Sequence, residues 1–147
     1  IYHKVYGYFV NKPGSMKNKF VIGVEKLKLY MNENEGWQRV LQVQTDEIPT
    51  MKKMLNEIMG EEQIAMEEKT GKDHFNRWLA VQQNEMQQLN NELGEQQKRL
   101  AIDCETNMQY DIDAFCTQDI LRERIKAIEK TYIDLKCNFM NYLSIVF

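Results

Sequence analysis

Two stretches in the second half of the chain carry mostly apolar residues at alternating steps of three and four positions. The first stripe is Phe75, Leu79, Gln82, Met86, Leu89, Leu93, Gln96 and Leu100. The second stripe is Leu121, Ile125, Ile128, Tyr132, Leu135, Phe139, Tyr142 and Val146. A repeat that averages about 3.5 residues keeps one side of a helix against a neighbouring helix. The pattern therefore predicts two long helices that bury these stripes.

The phase of the pattern breaks between Leu100 and Leu121, and the polar run 103–107 is the best position for a turn. Thr106 followed by Gln109 matches a capping box, which marks a helix start. A turn here would let the two stripes bury each other, so we predict a long antiparallel helical hairpin that resembles a coiled coil. The alternative is one continuous helix with a stutter, because no Gly or Pro follows Gly94.

In the predicted hairpin the second helix would run past the start of the first, so its last apolar residues would have no partner there. Exposed apolar segments of this density mark interfaces. We therefore predict a homodimer, because closed two-fold dimers are the commonest assemblies. The partner would be a second copy or another protein. The candidate interface residues are Phe139, Tyr142, Leu143, Val146 and Phe147.

Residues 1–10 are rich in β-branched and aromatic residues, which are typical of strands. Asn11–Ser15 contains Pro-Gly and predicts a turn. Residues 19–31 fit either a strand or a helix, because their apolar positions match both periods. Beyond a polar loop at 32–36, apolar residues alternate again up to Val43. We predict an antiparallel β meander over residues 1–44.

Residues 46–69 show helical spacing of apolar positions, with Pro49 suited to a first turn and Thr70-Gly71 suited to a helix end. The predicted fold class is α+β, mainly α: a small N-terminal antiparallel β meander, a linking helix and the long hairpin. The predicted division is a β-rich, basic and aromatic part over 1–45 and a helical part over 46–147, forming one cooperative unit. The predicted helices span about 47–70, 73–103 and 107–143.

Composition gives an ordinary charge balance, with 28% charged residues and a net charge of −3. No apolar run is long enough to cross a bilayer, so we expect no membrane association. The three cysteines are odd in number and lack zinc-ligand spacing. They favour unpaired thiols in the cytoplasm, and a Cys104–Cys116 bridge is the alternative. The absence of an initiator Met leaves the completeness of the N-terminus open.

Residues 1–44 contain seven Lys and Arg residues against three Glu residues, together with many aromatic residues. Basic residues interleaved with aromatic rings on a sheet are one way to bind single-stranded nucleic acid. The simpler interpretation is that the rings are buried and the lysines protect the edges of the sheet. The candidate nucleic-acid-binding residues are Lys17, Lys19, Lys26, Lys28, Arg39 and Trp37.

The sequence offers little material for catalysis. Its two histidines, His3 and His74, belong to no metal-ligand motif, and no phosphate-binding Gly-rich loop is present. We therefore expect no catalytic residues, no metal ligands and no cofactor. The predicted function is a non-catalytic protein–protein interaction or scaffold protein that acts through the hairpin and its apolar tail. The alternative is an accessory protein that binds single-stranded nucleic acid through the N-terminal sheet.

Overall fold

The computed structural model describes residues 7–10, 19–22, 24–58, 66–106 and 112–146. Three long helices dominate these residues: α1 over Val24–Ile58, α2 over Met66–Thr106 and α3 over Ile112–Val146. Two short strands, β1 over Gly7–Val10 and β2 over Lys19–Ile22, pair in antiparallel register with Gly7 opposite Ile22. From Val24 onward, every described residue is helical.

The predicted α+β fold class with a β meander over residues 1–44 is wrong, because α1 begins at Val24. The side chains that α1 buries in this stretch follow helical spacing, and one of them is polar: Leu27, Tyr30, Asn34 and Leu41. Leu29 and Val43, whose alternation with their neighbours favoured strands, are exposed. The parts of the predicted meander at 1–6, 11–18 and 23 lie outside the described residues.

The predicted linking helix over 47–70 is also wrong in its bounds. α1 continues through Pro49 to Ile58, so this proline lies inside a helix and not in its first turn. α2 begins at Met66, so Gly71 lies within a helix and does not end one. The predicted turn at 103–107 is wrong up to residue 106, because α2 continues to Thr106, and α3 begins at Ile112 rather than near residue 107.

The chain forms two compact units. Unit 1 comprises Ile1–Gln38 and Asn91–Glu123, and unit 2 comprises Arg39–Asn90 and Arg124–Phe147. Each unit contains one part of α1, one part of α2 and one part of α3. Within unit 2, α2 and α3 pack in antiparallel directions, because Gly71 lies beside Tyr142 while Gln82 Nε2 donates to the Ile128 carbonyl. This packing is compatible with the predicted helical hairpin.

The two stripes supply most of the core. All eight residues of the first stripe are buried, including Gln82 and Gln96. Six residues of the second stripe are buried, and its last two, Tyr142 and Val146, are half-buried. Full burial of one Leu, Ile or Phe side chain contributes about 1.5–3 kcal/mol, so the stripes are the principal source of stability.

Candidate interaction surfaces

Two of the predicted interface residues lie inside the chain's own packing. Phe139 is fully buried, and its ring meets the Phe75 ring edge-on with centroids 5.6 Å apart. The Tyr142 ring lies 5.1 Å from Phe75 and packs over Gly71. The expectation that these two residues lack a partner in the first long helix is wrong, because α2 begins at Met66 rather than near residue 73.

The remaining predicted interface residues are distributed differently. Leu143 and Val146 are half-buried, and Phe147 lies outside the described residues. Self-association through this tail stays a prediction. Phe139 and Tyr142 pack against other residues of unit 2. Any apolar surface that α3 exposes is therefore formed by other side chains.

Unit 2 contains an aromatic cluster, which consists of His74, Phe75, Trp78, Phe139 and Tyr142. The rings of Phe75 and Trp78 are stacked at 6.0 Å with an interplanar angle of 11°. A Cβ atom at Gly71 would lie 2.8 Å from Cε2 of Tyr142, so the glycine allows the close approach of this ring to α2. The cluster thereby joins the start of α2 to the end of α3.

A shallow groove of about 460 Å³ lies beside the aromatic cluster and is lined, in the described part of the chain, by His74, Arg77, Trp78 and Val81. These residues follow each other at helical spacing along α2. Arg77 is exposed, and its Nε donates to the Asp73 carbonyl at 3.4 Å. The groove therefore combines an aromatic and aliphatic wall with a guanidinium.

Unit 1 contains four amide side chains that we call the amide layer: Asn34, Gln96, Gln97 and Gln118. Asn34 Nδ2 donates to Oε1 of Gln97 at 3.1 Å and to Oε1 of Gln118 at 3.2 Å. Gln118 Nε2 donates back to Asn34 Oδ1 at 2.9 Å, and Gln96 Nε2 donates to Gln118 Oε1 at 3.3 Å. Buried amides are costly unless they are hydrogen-bonded, so this network fixes the alignment of the three helices within unit 1.

An ion pair borders the amide layer. Arg122 holds Glu33 with two hydrogen bonds, from Nε to Oε2 at 3.1 Å and from Nη2 to Oε1 at 2.7 Å. Its Nη1 donates to Asp119 at 2.5 Å, and its guanidinium carbon lies 5.9 Å from the Trp37 ring centre. Burial lowers the pKa of Arg122, but the hydrogen bonds and charges of Glu33 and Asp119 outweigh burial and raise that pKa. The pair adds a charged contact between α1 and α3.

A second contact between α1 and α3 lies in unit 2. The Tyr132 hydroxyl and Lys136 Nζ both donate to Oε2 of Glu47, the latter at 2.8 Å. The hydrogen bond from Lys136 and then the one from Tyr132 lower the pKa of the Glu47 carboxyl. Burial, followed by the hydrogen bond with Glu47, raises the pKa of Tyr132. This triad ties the two helices together side by side.

Exposed apolar side chains surround that triad on both helices, and we call this set the α1–α3 apolar face: Val40, Val43, Met54, Ile133 and Met140. On α1 its members lie four or seven residues from Glu47. On α3 they lie three or four residues from Lys136. Residues at these spacings share one side of a helix, so the five side chains lie on the side of unit 2 where α1 and α3 meet.

The candidate nucleic-acid-binding residues do not share a sheet. Lys19 lies in β2, whereas Lys26, Lys28, Trp37 and Arg39 lie on α1, and Lys17 is outside the described residues. Two of them have other contacts: Lys26 Nζ lies 5.2 Å from the Tyr30 ring centre, and Trp37 faces Arg122. The described sheet of β1 and β2 therefore contains only Lys19 of these candidates, and nucleic-acid binding stays a prediction.

The predictions from the sequence do not include several features of these surfaces. Lys72 is buried, and its Nζ has no hydrogen-bond partner in the described part of the chain; burial lowers its pKa. It extends the first stripe by one step before Phe75, which was the available signal. Ile133 and Met140 are seven residues apart beside the second stripe, and that spacing could have indicated the apolar face. No spacing in the sequence indicated that Asn34 is buried.

Comparison of this chain with protein-family models, with curated proteins and with solved structures finds no match. Among the described helices, none has a stretch long and apolar enough to span a membrane. Within the same residues, no group of three or more His, Cys, Asp or Glu side chains is arranged to hold a metal ion.

Proposed function

We propose that this protein is a non-catalytic interaction protein that pairs with a second copy of itself through the α1–α3 apolar face. The observation that carries the proposal is the exposure of five apolar side chains on two helices that are already packed together. Scattered apolar residues are ordinary on protein surfaces, but a contiguous apolar set with a polar surround marks an interface.

The charges within this face support a second copy as the partner. Glu47 and Lys136 lie at the same level on α1 and α3 and carry opposite charges. A two-fold axis parallel to the helices would place α1 against α3 of the other copy. Glu47 would then face Lys136 of the partner subunit, while the apolar residues on either side would be buried. Such a self-complementary surface suits a closed dimer made of four packed helices.

The test is the mass of the intact chain in solution, measured by light scattering over a concentration series. A monomer has a mass of 17.5 kDa, and the proposal requires twice that value. Ile133→Glu should convert the dimer to a monomer, because it places a charge in the apolar face. Ile120→Glu is the matched control, since Ile120 is also an isoleucine on α3 and is 60% exposed against 57% for Ile133.

A monomeric intact chain would refute self-association. If the mass in solution remains that of a dimer with Ile133→Glu as it does with Ile120→Glu, the α1–α3 apolar face is excluded as the interface. Truncation of the tail after Lys136 is a poor test, because it also removes the fully buried Phe139. Surface substitutions leave the core of unit 2 intact.

A cytoplasmic location is part of the proposal. Its support is that Cys104, Cys116 and Cys137 are all unpaired, with the last two exposed. Thiols persist in reducing compartments, whereas oxidising compartments favour disulfides. Cell fractionation with thiol labelling of the purified protein tests this point.

A further inference from the structure

The groove on α2 has the chemistry of a ligand site that differs from the α1–α3 apolar face. Its wall is formed by the Trp78 ring and by the Val81 side chain, which is 55% exposed. The groove is shallow and open, with a volume of about 460 Å³.

The wall is held in place by the aromatic cluster. Trp78 stacks on Phe75, and Phe75 is itself fixed edge-on against Phe139, which is fully buried. The His74 ring lies 5.6 Å from the Trp78 ring and occupies the adjacent part of the lining. A ring that is already fixed loses little conformational freedom when a ligand binds, which favours affinity.

Arg77 is the charged group of the groove, and its positive charge favours a ligand with an anionic group. Arg77 is an exposed cation whose Nε donates to the Asp73 carbonyl of its own helix at 3.4 Å. A guanidinium binds carboxylates through two parallel hydrogen bonds, which are stronger than hydrogen bonds between neutral groups. Apolar wall and guanidinium together match a ligand with an apolar body and one anionic end.

We propose that the groove of His74, Arg77, Trp78 and Val81 binds a small apolar carboxylate. The apolar body of the ligand lies on Trp78 and Val81, and its carboxylate pairs with Arg77. The site would give the protein a small-molecule ligand in addition to a protein partner, and it does not depend on the proposed self-association.

The experiment follows the indole N–H resonances of the intact protein by NMR during titration with 3-phenylpropionate. The chain has two tryptophans, so Trp78 reports on the groove, while Trp37 in unit 1 serves as an internal control. The Trp37→Phe variant assigns the two signals. The uncharged 3-phenylpropanamide is the matched control ligand, because it has the same body without the carboxylate.

The expected result is a saturable shift of the Trp78 signal with the carboxylate and a much weaker response to the amide. Arg77→Gln should weaken binding about fivefold to tenfold, the range expected for a partly exposed charge-assisted hydrogen bond. Arg99→Gln, which changes another exposed arginine of α2, should leave binding unchanged. The proposal is overturned by equal binding of the amide, by an equal shift of Trp37, or by the absence of a saturable shift.

Discussion

The two compact units of this chain use the same three helices, and each adds a different set of contacts to its apolar core. Unit 1 places the amide layer and the Glu33–Arg122 ion pair between its helices. Unit 2 places the aromatic cluster between α2 and α3, with Phe139 fully buried. Hydrogen-bonded amides require one alignment of the helices, whereas aromatic packing contributes burial of apolar area. We infer that unit 1 specifies the alignment and that unit 2 supplies more of the stability.

The largest effect should follow from removing an aromatic ring in unit 2. Phe139→Ala should lower the free energy of unfolding by about 3–5 kcal/mol, because it removes buried apolar area and leaves a cavity. Urea unfolding at fixed protein concentration measures this change. Asn138→Ala, at the exposed neighbouring position, is the control and should have little effect. A loss below that of the amide substitutions in unit 1 would contradict the comparison.

An intermediate effect should follow from breaking the amide layer in unit 1. Gln118→Ala should cost about 1–3 kcal/mol, because Asn34 and Gln96 both lose a hydrogen-bond partner in a buried site. The matched control is Gln42→Ala, which removes an exposed amide that donates to Asp46 at 2.8 Å. If both variants unfold at the same urea concentration as the parent chain, the amide layer does not restrain unit 1.

The smallest effect concerns the more exposed ion pair in unit 2. Because the pKa of Glu47 is lowered in the folded chain, its stabilisation is complete above the usual carboxyl pKa and is lost as pH falls through the lowered value. Glu47→Gln should therefore cost less than about 1 kcal/mol at pH 7. It should also reduce the loss of stability below about pH 5, measured by thermal unfolding across pH.

A double substitution sharpens this last prediction. Once Glu47 has been changed to Gln, Lys136→Gln should add little further loss, because the two charges act as a pair. Additive losses would mean that the two residues stabilise the chain independently and that the lowered pKa of Glu47 has another cause.

The sequence predicted the helical core of α2 and α3 well, since regular steps from Phe75 to Leu100 and from Leu121 to Phe139 correspond to buried positions. Even the polar positions Gln82 and Gln96 are buried as their spacing required. Long amphipathic repeats are reliable because one face of the helix must meet a neighbour whatever the details of the fold.

The start of α1 could not be predicted in the same way. Its core position between Tyr30 and Leu41 is Asn34, a polar residue that is buried only because Gln97 and Gln118 lie opposite it. Because position 34 is polar, the helical spacing of apolar residues is interrupted there. The alternating pattern typical of a strand then fits the sequence equally well. The partner amides lie more than sixty residues away along the chain, so no local pattern reveals them.

The packing of the end of α3 could not be predicted for a related reason. The sequence predicts an unpartnered tail because its pattern starts the first long helix near residue 73 and makes Gly71 a helix end, whereas α2 begins at Met66. A glycine within a helix is unfavourable by itself, but here it admits the Tyr142 ring. Tertiary contact thus outweighs local propensity, and it assigns Phe139 to the interior rather than to a surface.

The separation between the paired residues of α1 and α3 has a consequence for misfolding. Glu33–Arg122 and Glu47–Lys136 are both 89 residues apart, and Glu129 lies midway between the two basic residues on α3. If α3 slid past α1 by seven residues in one direction, Glu33 would face Glu129; in the other direction, Glu47 would face it. Either shift would set two carboxylates against each other, so the charges that join these helices also disfavour a seven-residue misalignment during folding.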